Sequence, residues 1–373
     1  MFGNNALKAE DLQIVAAAVG PAFGVASFPP VKWSDLSDPQ FEAVQTIIFD
    51  NRLASHVLKS AKLTETSLPY AFKQVLDSYQ QHCFQSNSVS LRTARLVAGV
   101  LAEHGIQAAF FKGALSQHVL YGEYFIKHST DIDLYVTFRD FKRARAILET
   151  IGFRLIDECR SSWWWFFLGE QHLLPPSPAH LAVDLHHRTQ QPGCPGPREK
   201  DFFLKRATAH SIGSVTCYTL ALKENILLAA LSLAKAMVHR ESSGKYAADL
   251  AKGFAKITEL EAEQIVRIAK QQGLIQTLSL AARAVEVVFG AKFPIRLAEF
   301  TKTTGLISDE ALARMVLHAS DPTLVWPQRT QILMALCDSP LDFPREVIWK
   351  FSSEFWRVLT DYFVLQRPSK TSK

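Results

Sequence analysis

From Lys8 to Gly20, and again from Asp38 to Gln85, apolar residues return every three or four positions, as at Phe41, Val44, Ile47 and Ile48. That spacing keeps one helix face apolar and predicts an N-terminal helical region. The intervening SFPPVKWSDLSD pairs Pro29 with Pro30 and then offers Ser34 and Asp35 as helix N-caps, so it reads as a connecting loop.

The pattern changes between Ser90 and His187, where helical and strand-like stretches take turns. LRTARLVAGVLAEHG is an amphipathic helix stopped by Gly105, and IQAAFFK after it is short, apolar and strand-like. Gly113 opens a helix through ALSQHVLY, closed by Gly122; IDLYV is a strand; DFKRARAILETIG is a helix closed by Gly152. FRLID, WWWFFL and LAVDLHH read as three further strands. TQQPGCPGPREKD, with three prolines and two glycines, is a loop leaving the sheet. Helix periodicity then resumes in TLALKENILLAALSLAKAMVH, YAADLAKGFAKI, LEAEQIVRIAKQQG and around Ala281 to Val287. The expected fold is α+β: a small mixed β-sheet core over residues 90–210, an N-terminal helical region over 1–89 and a C-terminal helical domain over 211–373. The terminal PSKTSK is expected to fray.

At 48% hydrophobic and 21% charged residues the chain can bury a real core, which excludes disorder as its main theme. Its formal charge of +5 is mild for 373 residues and compatible with phosphate-bearing ligands. The basic residues are scattered, which argues against long nucleic acid as a partner. Cys83, Cys159, Cys194, Cys217 and Cys337 are odd in number and never spaced CxxC, which points to a reducing compartment. Glu10 and Asp11 precede the first apolar run and Pro21 ends it, so neither a signal peptide nor a membrane span fits; a cytoplasmic location is expected.

The sharpest chemistry is Asp131-Ile132-Asp133-Leu134-Tyr135-Val136. On a strand, residues two apart share a face, so the two carboxylates converge while Ile132 and Leu134 point away. Such a pair is costly unless a cation neutralises it, and oxygen-only ligands suit Mg²⁺ or Mn²⁺. A third carboxylate, Asp184, lies in the apolar strand LAVDLHH; on a neighbouring strand it would complete a cluster able to hold two divalent ions. His186 shares its face and is a candidate for touching the acceptor or a phosphate. Upstream, Phe111-Lys112-Gly113-Ala114 has the form strand, Lys-Gly, helix: a helix N-terminus with a close-approach glycine and a lysine charge is a phosphate cradle. Trp163 to Phe167 can stack a base or pack a core, and Lys235, His239, Arg240 and Lys245 form a basic cluster on the C-terminal helices that either contacts phosphates or faces water. No P-loop, GxGxxG, kinase or nucleophile-triad motif occurs.

The run FFKGALSQHVLYGEYFIKHSTDIDLYVTFRDFKRARAILETIGFRL, followed by AVDLHH, resembles the uncharacterised nucleotidyltransferase family of the DNA polymerase beta-like superfamily over roughly residues 105 to 190. Weaker similarity follows in ALKENILLAALSLAKAMVH and in KYAADLAK, where the family carries an Asp matching Asp249. The resemblance implies a nucleotidyltransferase core, with Asp131 and Asp133 as metal ligands and Asp184 as a third, orienting or deprotonating the acceptor. It further implies phosphate contacts from Lys112 and Gly113. Lys127-His128 stands where the family has an arginine, and Lys112-Gly113 with Ser129 stands in for the Gly-Ser of the wider superfamily; Lys127 and Ser129 therefore join the phosphate-binding candidates.

The implied activity is Mg²⁺-dependent transfer of a nucleoside monophosphate from an NTP to a hydroxyl or phosphate of a small-molecule or peptide acceptor. Two alternatives use the same residues: a DxD glycosyltransferase taking an NDP-sugar, and a nucleotide-binding protein that has lost turnover.

Overall fold

The computed structural model describes residues 8–25, 28–297, 307–319, 321, 324 and 328–365. Ser27, at the start of the first connecting loop, and the tail expected to fray lie outside these residues. Four helices come first, α1 (Ala9–Val19), α2 (Asp38–Asp50), α3 (Ala54–Leu63) and α4 (Tyr70–Glu103). The central part holds β1 (Ala108–Phe110), α5 (Gly113–Tyr121), β2 (Asp131–Val136), α6 (Phe141–Thr150), β3 (Arg154–Leu155), β4 (Glu170–Leu174), β5 (Ala182–His186), α7 (Phe202–Lys205), β6 (Ala207–Ile212) and β7 (Val215–Leu220). The rest is helical: α8 (Leu222–His239), α9 (Gly244–Phe254), α10 (Glu259–Gln272), α11 (Ile275–Phe289), α12 (Asp309–Leu317), α13 (Gln328–Leu336) and α14 (Asp342–Leu365). None of these helices is long and apolar enough to cross a membrane.

The fold is α+β, as the pattern predicts, and the strands form one mixed sheet in the order β3-β4-β5-β2-β1-β7-β6. β2 pairs parallel with β5 and antiparallel with β1, and β1 pairs parallel with β7. Alternation separates two faces. On one, Ile132, Leu134, Val136, Val183 and Leu185 pack against the second half of α4 and against α6. On the other, Ala109, Phe111 and Tyr135 join a core built from both the N-terminal and the C-terminal helices. The two flanking helical regions thus share one hydrophobic core over the same face of the sheet.

Three local readings differ from the structure. α4 runs unbroken for 34 residues, across the boundary drawn at 89/90. Trp163–Leu168 is a π-helical turn, not a strand. The turn packs on α14, which the local pattern does not show: Trp163 Nε1 donates to Ser353 Oγ (2.9 Å), and the Phe167 ring centroid lies 4.7 Å from that of Trp349 on α14. The strand comes immediately after it, as β4. Finally, Thr219 and Leu220 end β7 instead of opening a helix, and the β6–β7 hairpin, turned at Gly213 with φ +61°, spans the boundary drawn at 210/211. Thr219 is held in the sheet by pairing with Thr208 and Phe110, and its hydroxyl adds a hydrogen bond to the Phe110 carbonyl at 2.9 Å.

Candidate active site

The parallel register of β2 and β5 sets Asp133 directly beside Asp184, with Asp131 two residues back on the same face. Burial, and then the Asp133 and Asp184 carboxylates, push the Asp131 carboxyl above its ordinary range. Asp133 behaves oppositely. Burial alone would raise it, but the Lys112 ammonium at 3.4 Å and the His186 ring, also 3.4 Å away, hold it below the usual carboxylate range. His186, two residues after Asp184 on the same face, reaches Glu170 of β4 with its other nitrogen at 3.5 Å. Asp184 has a partner on β4 too: His172 Nδ1 lies 2.5 Å from Asp184 Oδ1, and this hydrogen bond raises the imidazole pKa against the opposing effect of burial. The antiparallel pairing of β4 and β5 makes both contacts, placing Glu170 opposite His186 and His172 opposite Asp184.

Lys112 reaches Asp133 because of the turn that follows β1. Phe111 N–H donates to the Asp133 carbonyl at 3.0 Å, which continues the β1–β2 ladder and delivers the next residue beside the Asp133 side chain. Lys112 and Gly113 then both take positive φ, +44° and +62°. For a lysine this conformation carries a cost on the order of 1–3 kcal/mol, which persists only where the surroundings enforce it, and it turns the chain abruptly into α5. α5 therefore begins at the cleft that the carboxylates line. A Cβ at Gly113 would stand 3.6 Å from Ser129 Oγ, a buried hydroxyl with no hydrogen-bond partner among the described residues.

Two buried amides hold the segment leading into Asp131. Asn87, near the middle of α4, donates to the carbonyls of Tyr124 and Lys127 and accepts from Ser129 N–H at 2.9 Å. Gln117 on α5 accepts from Ile126 N–H and Lys127 N–H, both at 2.8 Å, and donates to the Lys127 carbonyl. Lys127 itself is ion-paired: its ammonium meets Asp249 of α9 at 2.5 Å, and Asp249 also accepts from Tyr121. It borders the cleft with its charge already matched.

Opposite the acids stands a basic wall. The cleft between sheet and helices has a volume of about 310 Å³ and is lined from the helices by Arg52, Lys235 and Lys245, while Lys112 stands among the acids. Burial and the nearby Arg52, Lys112 and Lys127 charges pull the Lys245 ammonium down to about 8. A lysine so depressed marks a place where positive charge accumulates and an anion is wanted. Every site residue named from the sequence, Asp131, Asp133, Asp184, Lys112, Gly113, Ser129, Lys127 and His186, lines this one cleft. Lys235 and Lys245 of the C-terminal basic cluster reach it as well. Arg52, Glu170 and His172 escape sequence reasoning. The alternation of Glu170 and His172 in GEQHLL is a signal for the last two, whereas Arg52, in the α2–α3 turn, carries none.

No three His, Cys, Asp or Glu side chains among the described residues are grouped closely enough to hold a metal ion by themselves. The donor set nonetheless fits Mg²⁺. That ion takes one or two carboxylates and completes its octahedron with water and substrate phosphates, so a protein cage of three ligands is not required. Asp131, with no cation within salt-bridge distance among the described residues, is the least compensated acid of the row.

The sequence model of the family described as an uncharacterised nucleotidyltransferase matches residues 37–290, more than half of the chain, and the chain belongs to that family. No curated protein matches.

Because Asp131 is charged against both burial and its neighbours, removing its charge relieves repulsion in the ligand-free protein. Asp131→Asn is expected to stabilise the free fold by roughly 1 kcal/mol, read from the urea midpoint at neutral pH. An unchanged or lower midpoint would mean that the carboxylate is compensated in some other way.

Proposed function

From membership of this family and from the facing of acids and bases across one cleft, we propose that the protein is a Mg²⁺-dependent nucleotidyltransferase. It moves a nucleoside monophosphate from an NTP to a hydroxyl or phosphate of a small-molecule or peptide acceptor. The observation that carries the reading is the carboxylate row of β2 and β5, flanked by Lys112 at the opening of α5 and sharing one cleft with Lys235 and Lys245.

In this reading the triphosphate lies along the basic wall. Gly113 lets it approach the first N–H groups of α5, Ser129 Oγ donates to a phosphate oxygen, and Lys112 and Lys245 balance its charge. Asp131 and Asp133 would hold the Mg²⁺, which draws electron density from the phosphates and favours attack at the α-phosphorus. Asp184 receives the acceptor's proton. His172, hydrogen-bonded to one of its oxygens, keeps the carboxylate aimed and leaves the other oxygen for the acceptor. Lys127, already matched by Asp249, ties α9 to the Asp131 segment and so sets the width of the cleft. The amide clamp of Asn87 and Gln117 spares these groups much of the reorganisation that a mobile loop would require.

A thermal-shift panel of NTPs and NDP-sugars with and without Mg²⁺ tests the donor. Ligand at about a hundred times its dissociation constant adds about 2.7 kcal/mol, on the order of 5 °C for a chain of this size. The shift is expected with an NTP only when Mg²⁺ is present, and is expected to vanish in Asp133→Asn. Pyrophosphate release on adding the acceptor completes the assignment. A shift with an NDP-sugar alone would replace the reading with sugar transfer, and no metal-dependent shift with any donor would overturn it.

Lys245 supplies a pH signature. Its ammonium sits at about 8 in the free protein because of burial and its cationic neighbours. A bound triphosphate offsets those neighbours and raises it, so binding takes up a proton once the pH exceeds that value. NTP affinity is therefore expected to fall as pH rises through 8, by at most about tenfold per pH unit, and Lys245→Arg, which stays charged, is expected to flatten the profile. Calorimetry across this range checks both; equal slopes for the two proteins would contradict the assignment.

A further inference from the structure

α14 has two apolar sides. On one, Trp349 packs on Phe167, while Trp356 donates to Ser162 Oγ at 2.8 Å and Ser353 accepts from Trp163, fastening the helix to the π-turn. On the other, Ile348, Phe351, Phe355 and Val358 are 65%, 73%, 67% and 63% exposed. Their spacing of three, four and three is the seam of a helix packed side by side on another helix. Four large apolar side chains in line are costly to leave in water and mark a contact surface.

The order of the stripe names the occupant. Read in either direction from Ser353 it is aromatic, then β-branched: Phe351 and Ile348 one way, Phe355 and Val358 the other. In sequence the symmetry extends to leucines at 341 and 365. A two-fold contact between antiparallel copies sets each residue against the one equally far beyond the axis on the other chain. In this stripe those pairs are alike in kind, aromatic with aromatic and β-branched with β-branched, so the patch complements itself. We propose that α14 pairs antiparallel with α14 of a second copy, the two-fold axis passing near Ser353, with Phe351 against the other copy's Phe355 and Ile348 against its Val358.

Size and charge agree with this choice. With Leu341, which is 78% exposed, the stripe offers roughly 500 Å² per chain, about 1,000 Å² for the pair, the lower range for a specific interface. A helix lying on an anionic lipid surface borders its apolar face with free lysines and arginines. Here the Arg357 guanidinium lies over Trp163 and pairs with Glu354, Arg345 pairs with Asp342 and Glu346, and the Lys350 stem packs against Gly193, so all three basic residues are engaged by their own chain.

Sedimentation of the full chain over a wide concentration range, with vesicles of anionic lipid as a second arm, tests the proposal. The wild type is expected to be a dimer, and Phe351→Lys/Phe355→Lys, at exposed positions that leave the core intact, is expected to be a monomer with an unchanged circular dichroism spectrum. Cross-linking fixes the orientation. Under a mild oxidant, an equimolar mixture of Phe351→Cys and Phe355→Cys chains is expected to form disulfide-linked pairs, while either chain alone does not; the five native cysteines are buried. A monomeric wild type, a double variant that still dimerises, cross-linking of Phe351→Cys with itself, or vesicle binding lost in the lysine variant would each overturn it.

Discussion

The cleft is organised around a repulsion. Parallel pairing of β2 with β5 forces Asp133 and Asp184 side by side and adds Asp131 on the same face, in a half-buried site where water screens the charges only in part. Everything around them answers this. Lys112 and His186 compensate Asp133, His172 compensates Asp184, and the basic wall stands opposite. Asp131 is left as the acid with most to gain from an arriving cation. The strand core beneath, with Ile132, Leu134, Val183 and Leu185 buried against α4 and α6, keeps the three carboxylates from moving apart.

A second constraint is local. The left-handed Lys112-Gly113 pair is unfavourable in isolation, and its turn delivers at one point a lysine beside Asp133 and a helix N-terminus beside Ser129. The amides of Asn87 and Gln117 hold the facing segment from α4 and α5, and since α5 itself follows the Lys112-Gly113 turn, Gln117 ties the two sides of the phosphate cradle together. The C-terminal helices add the remaining cations. Their burial in one core with α1, α2 and α3 makes the cleft a property of the whole chain and not of the central α/β part alone.

Much of this was legible in the sequence, for identifiable reasons. Period-two alternation in DIDLYV and AVDLHH assigns both strands and the shared polar face, and Lys-Gly between a strand and a helix marks the turn. What alternation cannot show is which strands are neighbours; the register of Asp133 with Asp184 is a tertiary fact. β4 was hidden behind six bulky residues that read as a strand and form a π-turn, and with it went Glu170 and His172. The β6–β7 hairpin was lost at its far end because TLAL runs into the apolar pattern of α8, whereas pairing with β6 and β1, which no local pattern shows, keeps that end in the sheet. Arg52 comes to the cleft from a turn far away in sequence, where a lone arginine has no pattern to betray it.

The central claim is that the carboxylate row binds its cation together with the donor's phosphates, because no three protein ligands are preassembled among the described residues. Electron paramagnetic resonance of added Mn²⁺ tests it directly. The account predicts that most Mn²⁺ stays free with protein alone and becomes protein-bound when an NTP is added, beyond what the NTP binds by itself, with the gain lost in a chain carrying both Asp131→Asn and Asp133→Asn. Tight Mn²⁺ binding without nucleotide, or a gain that survives in the double variant, would contradict it.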